Sequence, residues 1–523
     1  MGVFGGESAQ AGFRVGAVVR AAFVLLAMVS GVSYCAQAQN APQVQAPRAQ
    51  PGSPGAQFDE ALADYRNRSW DSARTKFQAI VDGGLLNGLD ARQRHQTLNL
   101  LAYLAMNVKD RRQAHDYAVQ STSATDAIGD DWLARLAVAD TFRDPDDAIV
   151  ALTMLVRKWP ATLFVVDARY IYRYASFSGD TPQRREAHYA LLRALFETRW
   201  KPKYVGEPSV LWVELIRLHL ERGDRNAAAA VLERVDAPDA LINMRADRRF
   251  DALREVNPRR LDVAAAIEAE IKFAREQVAR APNSLEPITI LAVRLLQARR
   301  YAEALEVLDA ALKRAASLTA ESKPFTDTGE FFVWVLDYRA RALIGVGRFD
   351  DAVRQRVEAS SLQELGAQNV SQAINLGWTY VELHRPVEAL EALRRVGTPS
   401  GHGRVEIEGV KVLAAVQTHD QRGLQESLDY LRAHRNDGME TFQWALLDAG
   451  AMDEAADLMV ERLNDVGLRA GALWALQDLA PGPDTPLAVE RRARLQQLRS
   501  TARVVAALER VGRTERYPLT ALE

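Results

Sequence analysis

Histidine, carboxylate and serine are the side chains that carry metal binding, acid–base work and nucleophilic attack. In this chain none of them falls at the spacing such chemistry needs. The eight histidines are His95, His115, His188, His219, His384, His402, His419 and His434. Two ligands on one helix face stand three or four residues apart, and no His-x-x-x-His, Glu-x-x-His or His-Glu-x-x-His occurs. No Walker loop, no G-x-S-x-G turn and no dinucleotide-binding glycine fingerprint is present. His402, in Ser400-Gly-His-Gly403, falls in an expected loop. The acidic clusters Asp130-Asp131 and Asp144-Pro-Asp-Asp147 coincide with expected turns, where a carboxylate accepts from exposed helix-end amides, so they read as caps. The expectation is a protein with no catalytic residues, no metal site and no cofactor.

The elements that position these side chains announce themselves through alanine. Nine helix pairs can be anchored on Ala73, Ala114, Ala148, Ala187, Ala228, Ala304, Ala352, Ala389 and Ala455. Most gaps run from 34 to 48 residues, and the two widest, 76 and 66, are about twice that. Such a period means stacked helical hairpins, none able to bury its own apolar face alone. The clearest unit runs from Ile288 to Ala311. Apolar residues there recur three and four apart on both sides of Ala298 to Arg300, giving two amphipathic helices around a short turn. Ala292 and Ala304 belong where the helices cross, and Ile288, Leu295, Tyr301 and Leu308 fill the seam.

This spacing resembles the tetratricopeptide repeat. Sixteen residues before the anchor, where that family favours a large apolar residue, stand Leu98, Trp132, Ile171, Trp212, Ile288, Leu336 and Met439. Twelve before it, at the close contact, stand Ala61, Ala102, Ala175, Ala292, Ala340 and Gly377, while Leu136, Ile216 and Gln443 depart from small. Four after it, Phe77, Leu152, Leu191, Leu232, Leu308, Leu393 and Met459 are apolar and Arg356 breaks the series. The turns lack the glycines of Sel1-type repeats, and HEAT-like repeats do not require small residues at paired crossings. The fold expected is all-α, an α-solenoid of stacked antiparallel helix pairs.

The resemblance implies a concave groove lined by the first helix of each pair. Its offsets select Trp334, Asp337 and Arg341 in one repeat, Trp378 in the next, and Glu440 and Trp444 in the repeat of Ala455. Tryptophan and arginine on one strip have the composition of a recognition hot spot; packing between repeats is the alternative for the same tryptophans. Trp132 and Trp212 fall at core offsets. One enzymatic analogy fails: exported lytic transglycosylases join a helical superhelix to a domain with a catalytic Glu-Ser, and Glu321-Ser322 here is followed by no Gly-Leu-Met-Gln.

The ends and the composition complete the expectation. Arg14 and Arg20 precede the apolar run Ala21 to Ser30, and Ala36-Gln-Ala38 supplies a signal-peptidase site, so residues 1–38 read as a signal peptide. The alternative is an uncleaved inner-membrane anchor, although the run is short for a transmembrane helix. Cys35 is the single cysteine, so cleavage leaves a chain without thiols, as suits the periplasm. Of the 66 basic residues only nine are lysine, a bias that suits a high-GC bacterium. Residues 39–57 read as a disordered linker rich in Pro, Gln and Ala. N-terminal repeats then span 58–235, an irregular helical connector 236–281, and C-terminal repeats 282–480. Residues 481–523 form a linker and a capping helix near Leu487 to Val511, whose many arginines read as a solvated face, with contact to an acidic partner or a lipid surface as the alternative. A net charge of −2 offers no global attraction to nucleic acid. The function expected is a non-catalytic exported scaffold that binds a protein segment in its groove, in envelope assembly, secretion or polymer export. The alternative is a glycan-binding or glycan-processing accessory of the envelope, with a polysaccharide as partner.

Overall fold

The computed structural model describes residues 50, 52–176, 181–255, 258–316, 325–363, 369–394, 396, 399 and 401–521. The signal segment 1–38, most of the 39–57 linker and Glu321-Ser322 lie outside them. The described residues divide into two compact units, one ending at Trp200 and one beginning at Lys201. Among them no helix is long and apolar enough to cross a membrane.

Both units are stacks of antiparallel helix pairs. The first contains α1 (Pro54–Arg66), α2 (Trp70–Asp82), α3 (Ala91–Asn107), α4 (Arg111–Thr122), α5 (Gly129–Thr141), α6 (Pro145–Lys158), α7 (Ala168–Ala175) and α8 (Pro182–Glu197). The second opens with α9 (Ser209–Glu221) and α10 (Arg225–Leu232), then α11 (Pro238–Ala246), the short α12 (Asp251–Arg254) and α13 (Val263–Arg280). Regular pairs follow: α14 (Glu286–Gln297) with α15 (Tyr301–Ala316), α16 (Thr328–Gly345) with α17 (Phe349–Ser361), and α18 (Val370–Glu382) with α19 (Pro386–Leu393). Next come α20 (His402–Thr418) with α21 (Gln421–Ala433), and α22 (Met439–Asp448) with α23 (Met452–Asn464). The unit closes with α24 (Arg469–Ala475), α25 (Pro486–Ser500) and α26 (Ala502–Val511).

The hairpins form for two local reasons. Eight of the anchoring alanines, all but Ala187, are wholly buried, so nothing larger than a methyl separates the crossing backbones. Five residues before each of these eight, the turn holds a left-handed residue: Arg68, Lys109, Arg143, Gly223, Arg299, Gly347, His384 and Gly450. The main chain then closes in a Schellman turn, as where Arg300 N–H donates to Leu295 C=O at 2.8 Å and Asp144 N–H to Ala139 C=O at 2.8 Å. Asp110, Asp144 and Asp224 cap the second helices through side-chain oxygens, as a carboxylate at an N-terminus does. Asp131 does more than cap: fully buried, it accepts from Asn99, from Ser121 and from the Ile128 N–H.

Several expectations need correcting. Ala187 is only partly buried, and His188 takes the interior place, its Nε2 2.6 Å from the Ala175 carbonyl oxygen. The wide gap after Ala389 hides a further hairpin, α20–α21, whose left-handed residue is His419 and whose anchor position is Leu424. A larger anchor made that repeat invisible to an alanine register. His402 lies not in a loop but at the start of α20. Gln443 sits at a crossing because its Nε2 donates to the carbonyl of Ala455, the anchor of its own hairpin, at 2.9 Å. Arg356, where an apolar residue was expected, is buried and donates to the fully buried Asp337.

The second unit does not end where its hairpins end. β1 (Asp478–Leu479) pairs in parallel with β2 (Arg516–Tyr517). The N–H of Arg513 donates to the Ala246 carbonyl at 2.9 Å and that of Thr520 to the Gln297 carbonyl at 2.9 Å. Ala246 of α11 joins Ala472, Leu473 and Leu476 in one buried cluster. The last segment of this unit is therefore stitched to its third helix.

Candidate groove of the second unit

Helix α25 packs on inner helices α18 and α22, and its Leu487 joins a buried cluster with Ile407 and Val410 of α20. The expected single helix from Leu487 to Val511 is broken at Thr501, whose backbone is extended. The break lets α26 pack on α23 while α25 turns onto α18 and α22. Proline at its first position and Thr485, whose hydroxyl accepts from Ala488 N–H at 3.3 Å, start α25 locally. Thr485 also reaches Glu382, the last residue of α18, at 3.1 Å.

Leu487, Arg491, Arg494 and Leu498 follow one another four, three and four residues apart, so they form one stripe on α25. Leu487 enters the cluster of Ile374, Val381, Ile407 and Val410, and Leu498 that of Phe442, Leu446 and Met459. Between these apolar ends the Arg491 guanidinium lies over two rings, 5.5 Å from the centre of Trp378 and 5.1 Å from that of Trp444. Its Nη2 donates to Asp448 at 2.7 Å, and Arg494 Nη1 reaches the same carboxylate at 3.2 Å. A planar cation between aromatic faces, with a carboxylate at its edge, is a binding box matched to arginine.

Trp378 has a second tie. Its Nε1 donates to Glu406 of α20 at 2.9 Å, and its ring presses on Gly409, where a Cβ would come within 3.0 Å of it. Glu406 also accepts from Thr441 of α22. One tryptophan thus packs between inner helices with one edge and meets α25 of its own unit with a face.

The other four groove residues separate. Asp337 is wholly buried, accepting from Arg356, from Arg341 Nε at 3.1 Å and from Asn375 Nδ2 at 2.9 Å. It braces α16, α17 and α18 and is closed to a ligand, and Arg341 is its partner before it is anything else. Trp334 is half-buried beside Tyr338, ring centres 6.3 Å apart. Glu440, half-exposed on α22, acts on buried Arg462: burial lowers the pKa of that guanidinium, and Glu440 opposes the shift. Of six residues, then, the structure gathers Trp378 and Trp444 at one point. Trp132 and Trp212 are buried.

Sequence reasoning missed Asp448 and Arg491. Asp448 occupies the last position of an inner helix, outside the offsets used. Arg491 was counted among solvated arginines, yet only 11% of its side chain is exposed. Arg499 and Arg513 are likewise engaged by the chain itself, at the carbonyls of Ala475 and Arg245. The usable signal was the Leu-x3-Arg-x2-Arg-x3-Leu stripe after a proline-rich break. Among the described residues no set of three His, Cys, Asp or Glu side chains converges to hold a metal ion.

No family model matches the chain, and no curated protein matches it. Among solved structures it is similar to the Cut9–Hcn1 hetero-tetramer of the APC/C, at 12% identity and a TM-score of 0.28, covering 88% of this chain and 90% of that one. It is similar also to the TPR domain of P58(IPK), at 13% identity and a TM-score of 0.19, covering 79% and 99%. Yeast Tom70 matches at 12% identity and a TM-score of 0.21, covering 87% and 99%. The tetratricopeptide-like assignment rests on the buried alanine crossings and their turns.

Proposed function

We propose that this chain is a non-catalytic, exported scaffold whose second unit binds a helical protein segment across its inner helices. One observation carries the reading: Trp378, Trp444 and Asp448 already grip a helix in that groove through an arginine, in the manner of a recognition site. Hot spots of this kind combine tryptophan and arginine at a desolvated centre. Export is supported by the basic, apolar and small-residue segments of residues 1–38, and a periplasmic scaffold without cysteine follows from cleavage after Ala38. An envelope glycan is less well served, because the ring faces on which a sugar would stack carry Arg491 instead.

The test uses the mature chain as bait in envelope extracts of its host, beside binding to isolated peptidoglycan. Recovery of a protein that is lost with Trp444→Ala supports the proposal, and retention on glycan alone sinks it. N-terminal sequencing of the native protein checks export: a start near Gln39 is expected, and an intact Met1 in the membrane fraction would establish an anchored form.

A further inference from the structure

Helix α25 lies in the groove as a ligand lies, not as a repeat does. It forms no hairpin with α24, from which β1 and Pro481-Gly-Pro-Asp-Thr485 separate it, and the extended Thr501 parts it from α26. Its buried hold on the inner helices is the stripe Leu487, Arg491, Arg494, Leu498, with the cap residue Thr485 on Glu382 and Glu490 3.3 Å from His384 at its rim. The decisive residue is Asp448. Its side chain is 1% exposed, and the guanidinium groups it pairs with, Arg491 and Arg494, both come from α25. With α25 withdrawn that carboxylate is uncovered, and any occupant that covers it again without supplying a cation leaves a buried unpaired charge, which is strongly unfavourable. The groove therefore demands an arginine from whatever fills it. A lysine would serve poorly, because it is a point charge that cannot lie flat between two rings.

We infer that the partner of this groove is an amphipathic helix with arginine set in an apolar stripe, and that it binds by displacing α25, the resident competitor. The inference rests on the proposed reading that the second unit binds a protein segment. β2 and the Arg513 and Thr520 main-chain bonds hold the tail beyond α25, so α25 can leave its seat while tethered at both ends.

The experiment titrates a fluorescein-labelled peptide spanning residues 484–500 against the full chain and against the full chain carrying Arg491→Gln and Arg494→Gln. Binding to the variant at least tenfold tighter than to the unaltered chain is expected, because the competitor is weakened. A peptide with glutamine at the same two positions is expected to bind neither chain. Equal affinity for both chains, or equal binding by the glutamine peptide, overturns the inference. Should the double variant fail to fold, the unaltered chain decides: excess peptide is expected to accelerate hydrogen exchange of amides 487–499, and no acceleration overturns the inference. A concentration-dependent dimer of the variant would also overturn it, making a second copy the occupant. Failure of peptide competition alongside a captured envelope protein removes only the competitor role of α25. Peptide competition without any captured protein removes the scaffold reading and leaves the groove's preference for arginine standing.

Discussion

Arg491 and Asp448 meet at 2.7 Å although 43 residues of chain separate them, and both are buried. Removing one member of such a pair strands the other's charge, whereas replacing both with apolar groups of similar size removes the desolvation burden as well. Asp448→Ala is expected to cost about 3 to 5 kcal/mol. The double replacement Asp448→Leu with Arg491→Met is expected to cost less than Asp448→Ala alone. Chemical denaturation of the three chains checks the order.

The left-handed turn residues give a gain instead of a loss. An L-residue with a side chain pays roughly 1 kcal/mol to adopt φ near +60°, and glycine does not. Lys109 and Arg299 hold φ of 59° and 61°, so Lys109→Gly and Arg299→Gly are each expected to stabilise by up to about 1 kcal/mol. Gly347→Ala, at φ 77° with open space around it, is expected to lose about as much. Thermal unfolding measures all three, and a loss with either glycine would refute the strain argument.

Ala304 tests the crossings. It is wholly buried in a cluster with Leu295 and Ala342, and Ala304→Leu would force α14 and α15 apart at a cost of about 1 to 3 kcal/mol. Hydrogen exchange is expected to quicken in α14 to α16 and to leave the first unit unchanged. Uniform acceleration through a still-folded chain would contradict nearest-neighbour stacking.

Acid should loosen the tail first. Burial would raise the Glu515 pKa, but hydrogen bonds from Arg245 and Arg254 outweigh it and hold the carboxyl below its ordinary 4.5. A depressed carboxylate contributes stability that is complete above its unfolded pKa and is lost as pH falls through the folded one. Protection of amides 513–520 relative to their intrinsic exchange rates is therefore expected to match neutral behaviour down to about pH 5 and to fall below it. In Glu515→Gln that protection is expected to be low at pH 7 already and to respond little to acid.

The architecture was legible because alanine at a crossing is a local steric requirement, visible as Ala73 or Ala304 without knowing the partner helix. Leu424 shows the limit, since a hairpin that tolerates a larger anchor loses the signal while keeping its turn at His419. The groove was half legible. Trp378, Trp444 and Asp337 all stood at readable offsets, but the burial of Asp337 was not readable, because it is decided by Arg356, nineteen residues on in the next helix. Arg491 was missed for a different reason: its stripe is visible in the sequence, but what the stripe faces is not. Whether a basic helix is solvated or seated depends on a carboxylate far away in sequence, and composition carries no record of that pairing.

Stitching the tail to α11 changes how the second unit can be made. Arg245 and Glu515 lie 270 residues apart, and the hairpins between them can zip up one after another through short-range contacts as the chain emerges. The closing contacts cannot form until Glu515 has been made. The entropy of drawing such distant points together grows only logarithmically, by about 0.6 kcal/mol per doubling of the loop, so closure is late without being prohibitive. Refolding should show a fast phase of local stacking and a slower one of closure, the slower lost on deleting residues 512–523. A chain stopped short of Gly512 would hold every hairpin of the unit and still leave β1 without the strand it pairs with.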